Sequence, residues 1–252
     1  MITASADSAT GPAAAAANEL TWEGWIGDPD AFGDIWWQVT PAAAETCDYF
    51  AVAAHSLGST AIEVEIQRWD GAAWVTIVRH APLDDAPFLV SFTAASAADW
   101  RLQFFATPST PAGLTDAQKF VGVIFIGSRL DMPTSIYGGH SPAALSADAI
   151  IEPHYSERGE FLGRSVIRTG ETGTYEWKHL DPAWYRANFA PFVRYAMEGR
   201  GAFFIKWRPG KYDETIYGWS EGRIRPSNMG IGPGLMEVSV NVRGLAQPGM
   251  RY

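Results

Sequence analysis

Cysteine is almost missing from this chain. Cys47 stands alone among 252 residues, which excludes an intrachain disulfide framework and a cysteine-built zinc site. Histidine is sparse as well. His55, His80, His140, His154 and His179 never fall at i, i+2 or i+4 from one another, so no short-range metal-ligand spacing exists. Long apolar runs are lacking too. No stretch of about 18 apolar residues occurs, as a membrane-spanning helix would need. The start has no basic segment, and its apolar stretch is only Ala13 to Ala17, which predicts no secretory leader and folding in a cytoplasm. Basic excess is missing: the net charge is -9, the wrong sign for holding nucleic acid. Catalytic signatures are missing as well. There is no G-x-S-x-G, and Ser56 in Ala-His-Ser-Leu-Gly lacks the first glycine. There is no P-loop, and Gly230-Ile-Gly-Pro-Gly234 opens no helix that could cradle phosphate.

What is abundant is apolar and aromatic. Hydrophobic residues make up 47% and charged residues 19%, enough to bury a core. Eleven tryptophans suit strands and contact surfaces. Charge is uneven: residues 1–130 hold 15 acidic and 5 basic side chains, a balance of -10, and residues 131–252 hold 13 and 14, a balance of +1. That shift predicts a domain boundary near Leu130.

Residues 1–19 are rich in Ser and Ala without periodicity, so we expect a flexible arm. Residues 20–130 are expected to be all-β. Ile35 to Val39 and Tyr49 to Ala54 are strand-like. Ile62, Val64 and Ile66 alternate with Glu63, Glu65 and Gln67, giving one dry and one wet face. Asp70-Gly71 marks a hairpin with Trp74 to Val78 returning antiparallel. Phe88, Val90 and Phe92 alternate, as do Trp100, Leu102 and Phe104. Phe120 to Ile126 is continuously apolar, as a strand buried on both faces would be. Such short strands with turns between them predict a β-sandwich or jelly roll. Trp74 and Trp100 are expected in its core.

Residues 131–160 are punctuated by Met132-Pro133, Tyr137-Gly-Gly139, Ser141-Pro142 and Glu152-Pro153. They are expected to form a connector, with an edge strand around Asp148 to Ile151. Residues 161–252 predict β-β-α-β-β-β. Phe161 to Ile167 and Thr174 to Leu180 are strands joined by a glycine turn at Thr169 to Gly173. Asp181 with Pro182 is a helix start: the side chain takes an orphan amide, and proline has none to waste. Pro191 must kink or restart that helix, because its ring meets the carbonyl of Ala187. Gly199 is the expected stop. Strands follow at Ala202 to Trp207, Ile216 to Trp219 and Leu235 to Val242, with a flexible loop at Pro226 to Gly234.

Two resemblances follow from these stretches. Residues 20–130, through Trp36-Trp-Gln-Val39, Tyr49 to Gly58, Ile62 to Gln67, Asp70-Gly71 with Trp74, and Trp100 to Phe104, resemble a discoidin-type, galactose-binding-like jelly roll. About residues 135–245, through Tyr217-Gly-Trp219 and Val238 to Gly244, resemble minor tail and distal-tail proteins of long-tailed bacteriophages and prophages. The order of the two domains is reversed relative to distal tail proteins. The implied fold class is mainly β with one prominent helix: an N-terminal β-sandwich or jelly roll plus a C-terminal α+β, ring-forming, tail-tube-like domain.

The resemblance implies a structural virion protein of the tail tip or baseplate, a ring-forming adaptor between tail tube and tip proteins. It would be assembled in the bacterial cytoplasm and located at the virion tail tip. Its implied partners are copies of itself in a homo-oligomer, favoured as a hexameric ring, together with tail tube and tail hub proteins and a cell-surface polysaccharide. No enzyme activity and no cofactor are expected. The alternative is a carbohydrate-binding module for host-surface polysaccharide, and a third reading is a glycan-cleaving enzyme. Trp22, Trp25 and His55 are candidate saccharide contacts. Trp207, Tyr217, Trp219, Arg223, Arg225 and Asn228 are candidate oligomer contacts.

Overall fold

A computed structural model describes the whole chain apart from residues 6–10, 28–34, 116–119, 137, 139–144, 147, 200, 212, 231–233 and 246–252. His140, Tyr137, Gly139, Ser141-Pro142 and part of the loop before Gly234 therefore lie outside the described residues. The chain divides into unit 1, Met1–Arg129, and unit 2, Leu130–Gln247. It is mainly β, with a sandwich in the first unit and a helix-covered sheet in the second.

Unit 1 holds β1 (Ile2–Ala4), β2 (Trp25–Ile26), β3 (Ile35–Val39), β4 (Glu45–His55), β5 (Ile62–Trp69), β6 (Trp74–His80), β7 (Phe88–Ala97), β8 (Trp100–Ala106) and β9 (Phe120–Gly127). They form a five-stranded sheet, β1-β3-β8-β5-β6, and a four-stranded sheet, β2-β9-β4-β7. Every pairing is antiparallel. The alternation of β5 and β8 turns Ile62, Val64, Ile66, Trp100, Leu102 and Phe104 inward, onto Phe50, Val52, Val121 and Ile124 of the other sheet. The hairpin between β5 and β6 closes as its residues dictate. Asp70 Oδ1 accepts from the amides of Ala72 and Ala73 at 2.8 Å each. Gly71 takes φ 104, where a side chain would be strained.

Two expectations for this unit are corrected. The start of the chain is not a free arm. β1 pairs with β3, and a short 3-10 helix, Ala13–Ala17, sinks Ala13 and Ala16 into the core. Small side chains without periodicity can be buried as filler as readily as left in solvent. Trp74 is not a core residue either. It lies half-buried on the outer face, with the Arg101 guanidinium 4.4 Å from its ring centre, whereas Trp100 is fully buried.

Unit 2 holds β10 (Asp148–Tyr155), β11 (Phe161–Leu180), a helix, β12 (Ala202–Lys206), β13 (Thr215–Ser220), β14 (Arg225–Asn228) and β15 (Met236–Gly244). The expected turn at Thr169 to Gly173 does not exist. β11 runs straight through it and changes partner there: Phe161 to Gly170 pair with β10, and Glu171 to Leu180 pair with β15. Glycine weakens a strand, but the ladders on either side hold Gly170 and Gly173 extended here. The consequence is a two-stranded ribbon, β10 with the first half of β11, closed by a turn at Ser156 to Glu160. The connector thus contributes a full strand.

The helix begins as Asp181 and Pro182 require. The Asp181 carboxylate accepts from the amides of Ala183 at 3.2 Å and Trp184 at 3.4 Å. A turn Pro182–Trp184 leads into a π-helical stretch Tyr185–Phe189 and then an α-helix Ala190–Glu198. The widened π turn sits just before Pro191, where proline removes a bond and its ring needs room. Asp181→Ala should cost about 1 kcal/mol, seen by calorimetry as a lower melting temperature of unit 2 with unit 1 unmoved. The helix covers one face of the sheet, packing on Tyr175, Trp177, Phe203, Ile216, Val238, Val240 and Val242.

Candidate functional site

Residues 18–26 form a segment fixed at both ends whose most exposed large side chain is Trp22. At its start, Asn18 caps the 3-10 helix, donates Nδ2 to Glu23 Oε2 at 2.9 Å and accepts from the Leu20 amide at 2.7 Å. At its end, Trp25 is 1% exposed, its ring 5.3 Å from that of Phe104. β2 pairs Trp25 with Val121 and Ile26 with Phe120. Gly24 is pressed so closely on β9 that a Cβ there would come within 2.6 Å of the Phe120 ring and the Val121 carbonyl. Between these anchors Trp22 is 75% exposed. A single exposed indole is ordinary on a protein surface; what sets this one apart is the anchoring of its loop. Here it directly precedes Glu23, whose carboxylate accepts from Asn18, on a loop anchored at both ends.

The residues proposed from sequence for saccharide contact therefore separate. Trp22 is on the surface. Trp25 is corrected: it is the core anchor of the same loop. The Trp-x-x-Trp spacing puts the two indoles on opposite sides of a bend, which composition alone does not reveal. His55 is corrected as well. It is 5% exposed, accepts from the Leu57 amide at Nδ1 (3.2 Å), and places Nε2 2.9 Å from the Ala86 carbonyl. That pattern is the neutral tautomer with a proton on Nε2. Burial, outweighing the carbonyl contact and the nearby Asp85 and Asp84, pushes its pKa down to about 4.

Other reactive groups of unit 1 are committed elsewhere. Glu63 and Glu65 both pair with Arg79, and Glu65 Oε2 also accepts from Gln67 at 3.1 Å and Thr76 at 2.9 Å. Arg101 donates to Gln67 at 2.6 Å and Gln103 at 3.1 Å. These side chains form a mutually bonded layer on the outer face of the five-stranded sheet, so the two glutamates serve that layer. Cys47 is buried, and desolvation, with Glu45 and Asp48 beside it, pushes its thiol up to about 11, far from a nucleophilic thiolate. Among the described residues, no group of three or more His, Cys, Asp or Glu could hold a metal ion. No described helix is long and apolar enough to cross a membrane.

The six expected oligomer contacts also separate. Trp219, Arg223, Arg225 and Asn228 are exposed, and Trp207 is half-buried against the core of unit 2. Tyr217 is corrected: it is 1% exposed, its ring 4.8 Å from Phe204, and no partner can reach it. Sequence reading missed the ribbon. Its apolar pairs were visible at Ile150-Ile151, Phe161-Leu162 and Val166-Ile167, but nothing local says that neither sheet nor helix covers them.

No family model matches the chain, and no curated protein does. Half of the chain resembles solved structures at low identity. A pectin-binding carbohydrate-binding module is 18% identical, with 51% of this chain and 94% of that one covered and a TM-score of 0.40. Chitosan-binding module 1 of a chitosanase/glucanase from Paenibacillus sp. IK-5 is 17% identical, with 50% and 92% covered and a TM-score of 0.41. The family 32 carbohydrate-binding module of C. perfringens NanJ, solved with galactose, is 10% identical, with 50% and 91% covered and a TM-score of 0.40. Likeness this distant says nothing about what the present chain binds, which rests on its own geometry.

Proposed function

We propose that this chain is a non-enzymatic binding protein whose sandwich unit contacts a cell-surface polysaccharide through Trp22. The observation that carries the reading is the pinned loop with an indole 75% exposed. A pyranose ring presents a face of C–H groups that stacks on such an indole, and Glu23, next to it in the chain, carries a carboxylate that can accept from sugar hydroxyls. Preorganisation keeps the ordering cost low. Trp22→Ala tests it. Binding to a polysaccharide selected on a glycan array should weaken about thirtyfold, or roughly 2 kcal/mol, by titration calorimetry. Stability should change by less than about 0.5 kcal/mol. Equal binding by the variant and the parent chain would remove the reading.

A second reading is favoured by the exposed apolar ribbon of unit 2. In it the chain is a structural virion protein of a phage tail tip, an adaptor joining tube and hub proteins. Co-expression with candidate tail tube and hub proteins, followed by gel filtration, tests it. A chain that never co-elutes with either is not such an adaptor.

A further inference from the structure

The outer face of the five-stranded sheet of unit 1 holds a guanidinium that is aligned without a carboxylate. Arg101 reaches from β8 across β5, and its guanidinium lies 4.4 Å from the centre of the Trp74 ring on β6. Its Nε donates to Gln67 Oε1 at 2.6 Å and its Nη2 to Gln103 Oε1 at 3.1 Å. Gln67 has no freedom to turn away. It is 6% exposed, and its Nε2 donates to Glu65 Oε2 and Thr76 Oγ1, so its carbonyl faces the arginine. The indole and the two amide carbonyls together fix the plane of the guanidinium.

The acids of this face are spent elsewhere. Glu63 and Glu65 pair with Arg79, and Asp99 Oδ1 accepts from Thr40 and Gln38. Arg101 has no ion pair among the described residues, and burial pushes its pKa below the ordinary value. Its Nη1 group and one Nη2 hydrogen have no acceptor there either. That free edge matches the two oxygens of a carboxylate. An arginine serving the layer alone would gain more from one of these acids than from two amides. Gln103 extends the arrangement. Its carbonyl is held by Arg101, its Nε2 has no acceptor among the described residues, and its cross-strand partner on β3 is the outward-facing, half-buried Trp36.

We infer that this face binds a polysaccharide of uronic acids, with the free edge of Arg101 on a carboxylate and Trp36 under the ring of a neighbouring sugar. A uronic acid carries its carboxylate directly on a ring whose C–H face suits an indole, so one chain uses both groups, and Gln103 Nε2 between them meets a hydroxyl. Trp22, on the segment before β2, takes no part, and neither contact needs the other.

Titration calorimetry on the full chain, with hexamers of galacturonate, glucuronate and mannuronate each beside its methyl ester, tests this. The ester keeps the ring and removes the charge. At least one acid should bind about tenfold or more tightly than its ester. Arg101→Gln should abolish that preference, and Arg101→Lys should keep only part of it, because an ammonium lacks the planar fork. Trp36→Ala should weaken acid and ester by the same factor. Trp22→Ala should leave the preference intact, which separates this inference from the Trp22 reading. Where circular dichroism shows that Arg101→Gln does not fold, proton–nitrogen NMR of the parent chain decides: the acid should shift the Arg101 Nε and Trp36 Nε1 signals. No preference for any acid over its ester overturns the inference. So does a preference that survives Arg101→Gln, or shifts in the parent that leave both signals in place.

Discussion

Alanine at Phe189 is expected to unfold unit 2 while unit 1 stays folded. Phe189 is 1% exposed and is the hub of the aromatic cluster under the helix. Its ring lies 5.4 Å from Tyr185, 5.4 Å from Phe192, 6.3 Å from Trp177 and 6.4 Å from Trp184. Removing it deletes a large apolar surface and leaves a hole that four stiff rings cannot collapse into, at a cost of about 3–5 kcal/mol. That is a large share of a domain's whole stability. Because the two units have separate cores, calorimetry should resolve two transitions, with only one moved. A variant that melts like the parent would show that the helix does not hold this sheet together.

The second large effect concerns acid. His55 has a pKa of about 4 when folded against an ordinary 6.5, so the folded state resists the proton that the unfolded chain accepts. The unfolded state therefore binds more protons between those values, and stability falls as pH drops from 6.5 toward 4. Above 6.5 the imidazole is neutral in both states and nothing is lost. The full loss is about 3 kcal/mol, from the gap between about 4 and 6.5 at 1.36 kcal/mol per tenfold change. Urea unfolding of parent and His55→Gln at pH 7 and pH 4.5 isolates it, because the carboxylates titrate in both chains. The parent should lose more stability than the variant by most of that amount. Equal losses would mean that His55 takes up its proton without hindrance.

The same histidine shows where sequence reading stops. In Ala-His-Ser-Leu-Gly it looks like a polar residue at a strand end, free for a ligand. Its enclosure comes from Ala86 and Phe88, more than thirty positions away, and no local pattern carries that. Trp22 and Trp25 make the point at shorter range. Both sit in one Gly/Asp/Pro-rich stretch, and the close approach of Gly24 to β9 sends one inward and leaves the other out. The missed ribbon has the same cause. Phe161 to Ile167 reads as a strand with an apolar side, and apolar sides are normally covered.

What the residues determined alone is whatever depends on neighbours along the chain. The period-two strands of unit 1, the turn at Asp70-Gly71, the helix start at Asp181-Pro182 and the perturbation before Pro191 all belong to this class, because backbone geometry and short-range bonds set them. Only the tertiary structure decided which apolar side chains found cover: Trp25, His55 and Tyr217 did, and Trp22, Tyr155 and Phe161 did not. Burial is a property of distant segments meeting, and the surfaces on which function is proposed here are defined by the segments that failed to meet them.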